Sequence, residues 1–310
     1  MLSEYAVEPT TIGAEWSIFL YLFEKFGADK GRLISRLPSK WERKVIKAAK
    51  DADIPDIKIS SIVERLRSAE HKVGDFNRVY DHEASWIENA VREHGEKPFR
   101  AIISRAGATL CPEVLPPDEC SDEHPLFNAP ISQDIARTPD DIAGALVLLA
   151  AVAQEIDIVD PYFDPRPGKG DYIGPLRSLL TGLSSLAVTP KVIRVHFGTH
   201  DSRPPSEILA RDVPAQTKGL LPRGYSLELY EWSEVQGGED FHDRFFLTEV
   251  GGLMIGAGLS AEGPAETATF TLLDVRHAQR LRSRFSATST VYIRVGSVVR
   301  INSDGRTELL

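Results

Sequence analysis

Between Phe241 and Ser260 the chain reads FHDRFFLTEVGGLMIGAGLS, and here residue types suited to phosphoryl chemistry fall close together. Read as a strand over Asp240–Thr248, alternation places His242, Arg244, Phe246 and Thr248 on one face. The imidazole and the guanidinium are then neighbours, about 7 Å apart along the strand. Such a pair suits a phosphate: the imidazole can attack phosphorus or give up a proton, and the planar guanidinium can hold two non-bridging oxygens. Gly251-Gly252 turn the chain into a second apolar strand that ends in Gly256-Ala257-Gly258, and its glycines let backbone approach the same spot.

The spacing resembles the signature of the phospholipase D superfamily, His-any-Lys, four residues, Asp, six residues, Gly-Ser-any-Asn. In that register the chain offers His242, Arg244 in the lysine place, Glu249 in the aspartate place, Gly256, Ala257 in the serine place and Leu259 in the asparagine place. The His-Asp-Arg form is similar to a variant found in many bacterial phospholipase D-like proteins, some of them associated with antiviral defence. Upstream, IDIVDPYFDP at 156–165 resembles the opening strand of such domains. The resemblance covers roughly residues 143–301.

It implies a metal-independent and cofactor-free phosphodiesterase in which one histidine forms a phosphohistidine and a second protonates the leaving oxygen. Covalent catalysis of this kind splits one hard displacement into two easier ones. Only one such motif is present, because His71 is followed directly by Lys72 at the wrong offset. Activity by this route therefore requires a homodimer that brings two copies of His242 to one phosphate across a two-fold axis. The resemblance also calls for an acid to orient the histidine, for which Glu249, Glu266 and Asp274 are available. Asp160, Tyr162, Asp243, Ser260 and Thr269 are the expected substrate-binding residues, the last two as replacements for the missing serine and asparagine. The alternative is a degenerate module that keeps the fold and an anion pocket for nucleic-acid recognition or complex assembly, with His242 a structural residue paired to Asp243 or Glu249.

Composition narrows the class. At 310 residues, 42% hydrophobic and 26% charged, the chain has the make-up of a folded protein of one or two domains. No run is long enough to cross a membrane and the first ten residues lack a basic start and an apolar core, so a cytoplasmic protein without membrane contact is expected. Cys111 and Cys120 are the only cysteines; with His124 they make at most an incomplete metal set. The net charge of −9 excludes a uniformly basic surface, yet bases crowd Lys25–Lys50 and again Arg276, Arg280, Arg282 and Arg284. These runs are either solvated helix faces or local patches for a phosphate backbone. They favour a nuclease over a lipase.

The elements that must position the motif follow from periodicity. Helices are expected at 14–26, 39–51, 60–69 and 84–94, the last capped near Asp81, with a strand at 98–104. Trp16, Trp41 and Trp86 are expected as core anchors. The proline- and acid-rich segment 107–139 reads as a linker or arm. Thr138 then starts a buried helix over 142–155. Beyond it strand and helix alternate through about Trp232, followed by consecutive strands, a helix at 278–285 and a last strand at 290–299. The expectation is an α/β protein: a mainly helical N-terminal domain over 1–106, which is open to a protein partner, and a phospholipase D-like mixed sheet flanked by helices over 140–310.

Overall fold

The computed structural model describes residues 1–107, 109–166, 168–186, 188–189 and 191–310. The chain divides into two compact units, Met1–Ile131 and Ser132–Leu310.

In the first unit the elements run β1 Ser3–Val7, α1 Pro9–Gly13, α2 Trp16–Lys25, β2 Arg32–Ser35, α3 Trp41–Asp51, α4 Asp56–Arg67, β3 Val73–Gly74, α5 Trp86–Glu96, β4 Ile102–Ile103 and β5 Val114–Leu115. The five strands form one sheet in the order β3-β2-β1-β4-β5, every pair parallel. The expectation of a mainly helical domain is thus corrected to a parallel α/β sheet. β1 explains both the sheet and why it escapes notice: Tyr5 and Val7 enter one core with Phe19, Leu22 and Trp41, while Ala6 enters the other with Phe99 and Ala90. A strand buried on both faces shows no polar alternation. The tryptophans anchor as expected, Trp41 fully buried with its indole N–H on the Val7 carbonyl and Trp86 on that of Leu37. α5 is capped by Ser85, not near Asp81: Ser85 and Glu88 form a reciprocal capping box.

The second unit contains β6 Ser132–Arg137, α6 Pro139–Val152, β7 Ile156–Val159, α7 Ile173–Ser185, β8 Val192–Gly198, α8 Ser206–Thr217, β9 Ser226–Glu234, β10 Phe245–Thr248, β11 Gly252–Ile255, β12 Gly263–Leu273, α9 Val275–Ser283, β13 Tyr292–Asn302 and β14 Thr307–Leu309. Its nine-stranded mixed sheet has the order β14-β13-β9-β8-β7-β10-β11-β12-β6. β7, β8 and β9 are parallel, as the strand-helix alternation predicts, and β10 runs antiparallel to β7. The segment 107–139 contributes β5 to the first sheet, and to the second unit β6 and Thr138, the cap of α6. No described helix is long and apolar enough to cross a membrane.

On the α9 side the sheet carries a buried polar network. Trp232 donates its indole N–H to His196 Nδ1 (3.1 Å), which leaves the proton on Nε2 to donate to Asp157 (3.0 Å); Arg282 donates to the other Asp157 oxygen. Burial alone would raise the Asp157 carboxyl, but the hydrogen bond from His196 and the contact with Arg282 outweigh it and hold the group at about 2. Relative to an ordinary aspartate at about 4, the charged form then contributes about 2 kcal/mol of stability. That contribution is complete above the ordinary value and disappears as pH falls through the folded one. Equilibrium unfolding measured from pH 5 to pH 2 is expected to show a steeper acid loss for the wild type than for Asp157→Asn, and equal slopes would rule out this origin.

Candidate phosphate-binding site

β10 begins at Phe245, so His242 and Arg244 do not sit on the strand as alternation suggests but on the segment leading into it. Phe241 fixes that segment. Its backbone N–H donates to Glu234 (2.7 Å), and its ring packs on Phe285 and Tyr292 with centroids 5.4 and 4.9 Å away. Because Phe245 pairs with Val159, both functional side chains lie at the carboxyl edge of the parallel strands, where open α/β sheets present ligand sites.

His242 is 65% exposed, with Asp243 3.4 Å from its Nε2. Its environment is the reverse of that of His196, which is 1% exposed and bonded through both ring nitrogens. Arg244 lies over the Tyr162 ring, 4.8 Å from its centroid, and donates to the Gly256 carbonyl (3.4 Å). A guanidinium that lies over a phenol ring and makes one bond to a carbonyl keeps other N–H groups available to an anion.

Asp160, at the end of β7, is 1% exposed and accepts from the backbone N–H groups of Tyr162 (3.0 Å) and Leu259 (3.2 Å). It ties the turn after β7 to the Gly256–Ser260 loop, so its role is to position both rather than to meet substrate. Burial raises its carboxyl above the usual range, against the two backbone donors and Arg244. The loop needs its glycine: Gly258 has φ +79°, and a Cβ there would lie 2.5 Å from Asp160 Oδ2 and 3.2 Å from Arg244 Cδ. Gly258→Ala is expected to cost about 2 kcal/mol from the left-handed backbone and the contact together. Thermal unfolding checks it; a melting temperature equal to that of the wild type would show that the loop relaxes freely.

Other expected site residues fall differently. Glu249 lies beyond the far end of β10, about 16 Å from Arg244 along the chain, where its carboxylate accepts from the N–H groups of Gln154 and Glu155. It secures the amino end of β7 and is not beside the histidine. Asp243 takes the adjacent place. Thr269 is on β12; its backbone carbonyl accepts from Gly256, but its hydroxyl donates to Asp134 (2.6 Å). Ser260 is buried, and its hydroxyl has no hydrogen-bond partner among the described residues. Leu259, in the asparagine place, points into apolar company with Ile158, Phe163 and Leu176.

Arg137 is the residue that sequence reading misses. Buried at the end of β6, it donates to the carbonyls of Ala257 and Ser260 and pairs with Glu262 (2.8 Å). It braces the loop from the side opposite Asp160. The only hint in the sequence is a basic residue just before the Thr138-Pro139 helix start.

Neither cysteine belongs to a metal centre with His124. Cys120 is buried, its thiol pushed up to about 12 by burial. Among the described residues the donors that cluster are His94, Cys111 and Glu113. There His94 Nδ1 accepts from the Phe99 N–H (3.2 Å), so Nε2 carries the proton and faces Glu113 as a donor. A metal ligand needs the opposite arrangement.

The basic runs are also largely engaged. Arg32 is buried on Asp122, which also takes Lys25, while Arg36 pairs with Glu42 and Lys47 with Asp51. On α9, Arg282 turns inward and Arg284 pairs with Glu239.

No protein-family model and no curated protein matches the sequence. Among solved structures, Nuc of Salmonella typhimurium, described as a phospholipase D family member, aligns over 54% of this chain and 98% of its own, with TM-score 0.33 and 11% identity. TrmBL2, described as an archaeal chromatin protein with a novel mode of DNA binding, aligns over 76% of this chain and 82% of its own, with TM-score 0.26 and 12% identity. Likenesses this slight carry no weight, and the functional reading rests on the site's own residues.

Proposed function

We propose that the second unit is a phospholipase D-like phosphodiesterase, acting on nucleic acid without a metal and working as a homodimer. The observation that supports this best is the contrast between the two histidines: His196 is consumed by structural bonds, while His242 stands in solvent at the carboxyl edge of the sheet beside an open guanidinium. A structural histidine would resemble the first.

The ring nitrogen of His242 that does not face Asp243 attacks phosphorus, forming an N–P bond as the P–O bond to the leaving group breaks. His242 of the second subunit gives its proton to that oxygen. Water then attacks phosphorus, the N–P bond breaks, and the proton of the water returns to the second histidine. Arg244 neutralises the equatorial oxygens throughout. A place in bacterial antiviral defence accords with the His-Asp-Arg form.

A second reading has its own support. Leu259 buries its side chain where the superfamily pattern has a polar group, which fits a recognition module that binds an anion without turning it over. Purified protein on a bis-aryl phosphate ester and on single- and double-stranded DNA and RNA, with chelator present, separates the two. Cleavage supports the enzyme; binding of nucleic acid with no cleavage of any substrate supports the module.

A further inference from the structure

The sheet face beside α9 is only partly covered, leaving a cleft of about 590 Å³ between the helix and strands β7, β8, β9 and β13. That is within the usual range for small-molecule sites. We propose that this cleft binds a small aromatic anion of the nucleoside monophosphate class. Neither His242 nor Arg244 lines it: the cleft runs from Asp157 and Glu249, at the amino end of β7 and the far end of β10, to Trp232 and Arg294, level with the end of β8, where Phe285 on its wall also packs on Phe241.

The hydrogen-bonding inventory sets the sign of the ligand. The carboxylates in and beside the cleft are already engaged, Asp157 by His196 and Arg282, Glu228 by Arg300 (2.6 Å) and the Tyr230 hydroxyl (2.7 Å), and Glu249 by two backbone N–H groups. Donors are not. Arg194 is about a quarter exposed, and its nearest carboxylate oxygens, on Glu155, Asp157 and Glu228, are 3.6, 3.6 and 3.7 Å away, beyond direct hydrogen-bonding distance. Arg294, exposed on β13 opposite Trp232, has no carboxylate partner among the described residues. Each offers a guanidinium fork of the kind that binds phosphate bidentately, and Arg294 offers it free of carboxylates.

The wall between them sets the shape. Tyr230 and Trp232 are nearly parallel, 15° apart with centroids at 6.5 Å, and Phe285 meets Trp232 edge-on at 5.8 Å. Trp232 is fixed by its bond to His196, so the surface is preorganised. Trp232 and Phe285 are buried behind it, so half-buried Tyr230 is the ring that the cleft presents to a planar group such as a base. A base against Tyr230 with its phosphate at Arg294 satisfies both features, which inorganic phosphate or an uncharged ring cannot.

The full chain is titrated by calorimetry with the four nucleoside monophosphates, with phenyl phosphate and with inorganic phosphate. Saturable binding of at least one nucleotide is expected, about tenfold or more tighter than inorganic phosphate. Arg294→Ala is expected to weaken it about tenfold, the size of one charge-assisted contact. Removing Arg194 risks the fold because three carboxylates surround it, so Ser286→Trp, exposed on the rim, serves as a second variant that blocks the cleft by bulk. His242→Ala should bind as the wild type does. The proposal is overturned if no nucleotide binds, if phosphate alone binds as tightly, if both rim variants bind normally, or if His242→Ala abolishes binding.

Discussion

His242→Ala is expected to reduce phosphodiester hydrolysis by about 10³-fold or more, since it removes both the nucleophile and the general acid from a site shared by two subunits. Stability should change by no more than about 0.5 kcal/mol, because the side chain is two-thirds exposed and takes part in no buried contact. Subunit mixing makes the test specific. After exchange with an equal amount of His242→Ala protein, only wild-type pairs retain two histidines, so activity per wild-type plus variant dimer should fall to about one quarter. A fall to one half would mean that each subunit works alone, and the shared site would be wrong. Glu249→Gln is the internal control. Its carboxylate holds backbone at the other edge of the sheet, so this variant should lose stability while keeping its turnover.

The second unit was open to sequence reading because its elements are long and differ in period. β7, β8 and β9 alternate with α7 and α8, and the helix starting at Thr138 carries a local cap. In the first unit the four longer helices and the strand around β4 were legible but the sheet was not, because β3 and β5 are two residues each and β1 is buried on both faces. Such strands exist through pairing with chain far away and leave no periodic trace. The site was legible in part for a similar reason. Arg244 lies beside Gly258, as the motif spacing suggests, together with Asp160, but spacing cannot tell which end of a four-residue strand an acid leaves from. Glu249 therefore looked like a partner of the histidine when β10 separates them. Arg137 comes from a strand more than a hundred positions earlier in the chain, at the end of a proline-rich segment, and only the pairing of β6 with β12 brings it to the loop. Support of an active loop by distant backbone contacts is a tertiary property, and no local pattern encodes it.

Arg78→Ala is expected to destabilise the first unit by about 3–5 kcal/mol, because it leaves a buried carboxylate without its main partner. The Arg78 and Glu4 side chains are 2% and 4% exposed and meet in a two-pronged pair, Nε to Oε1 at 2.9 Å and Nη2 to Oε2 at 2.8 Å. Nη1 also donates to the carbonyls of Glu93 (3.0 Å) and Lys97 (2.6 Å), and the guanidinium lies 3.9 Å from the centre of the Phe99 ring. One side chain thus joins the central strand β1, the end of α5 and the residues before β4. Lys97 Nζ, 3.6 Å from Glu4 and half exposed, can replace the charge but neither the fork nor the bonds to the two carbonyls. A loss of this size is a large share of the 5–15 kcal/mol typical of a domain. Replacing both partners, Glu4→Leu with Arg78→Met, should recover much of it, since the cost lies in the unpaired charge rather than in losing the pair. Denaturant unfolding of the two single variants and the double variant closes the cycle. If Arg78→Ala costs less than about 1 kcal/mol, or if the double variant is no more stable than the Arg78→Ala protein, then water or Lys97 already compensates Glu4 and the pair is not what holds β1 to α5.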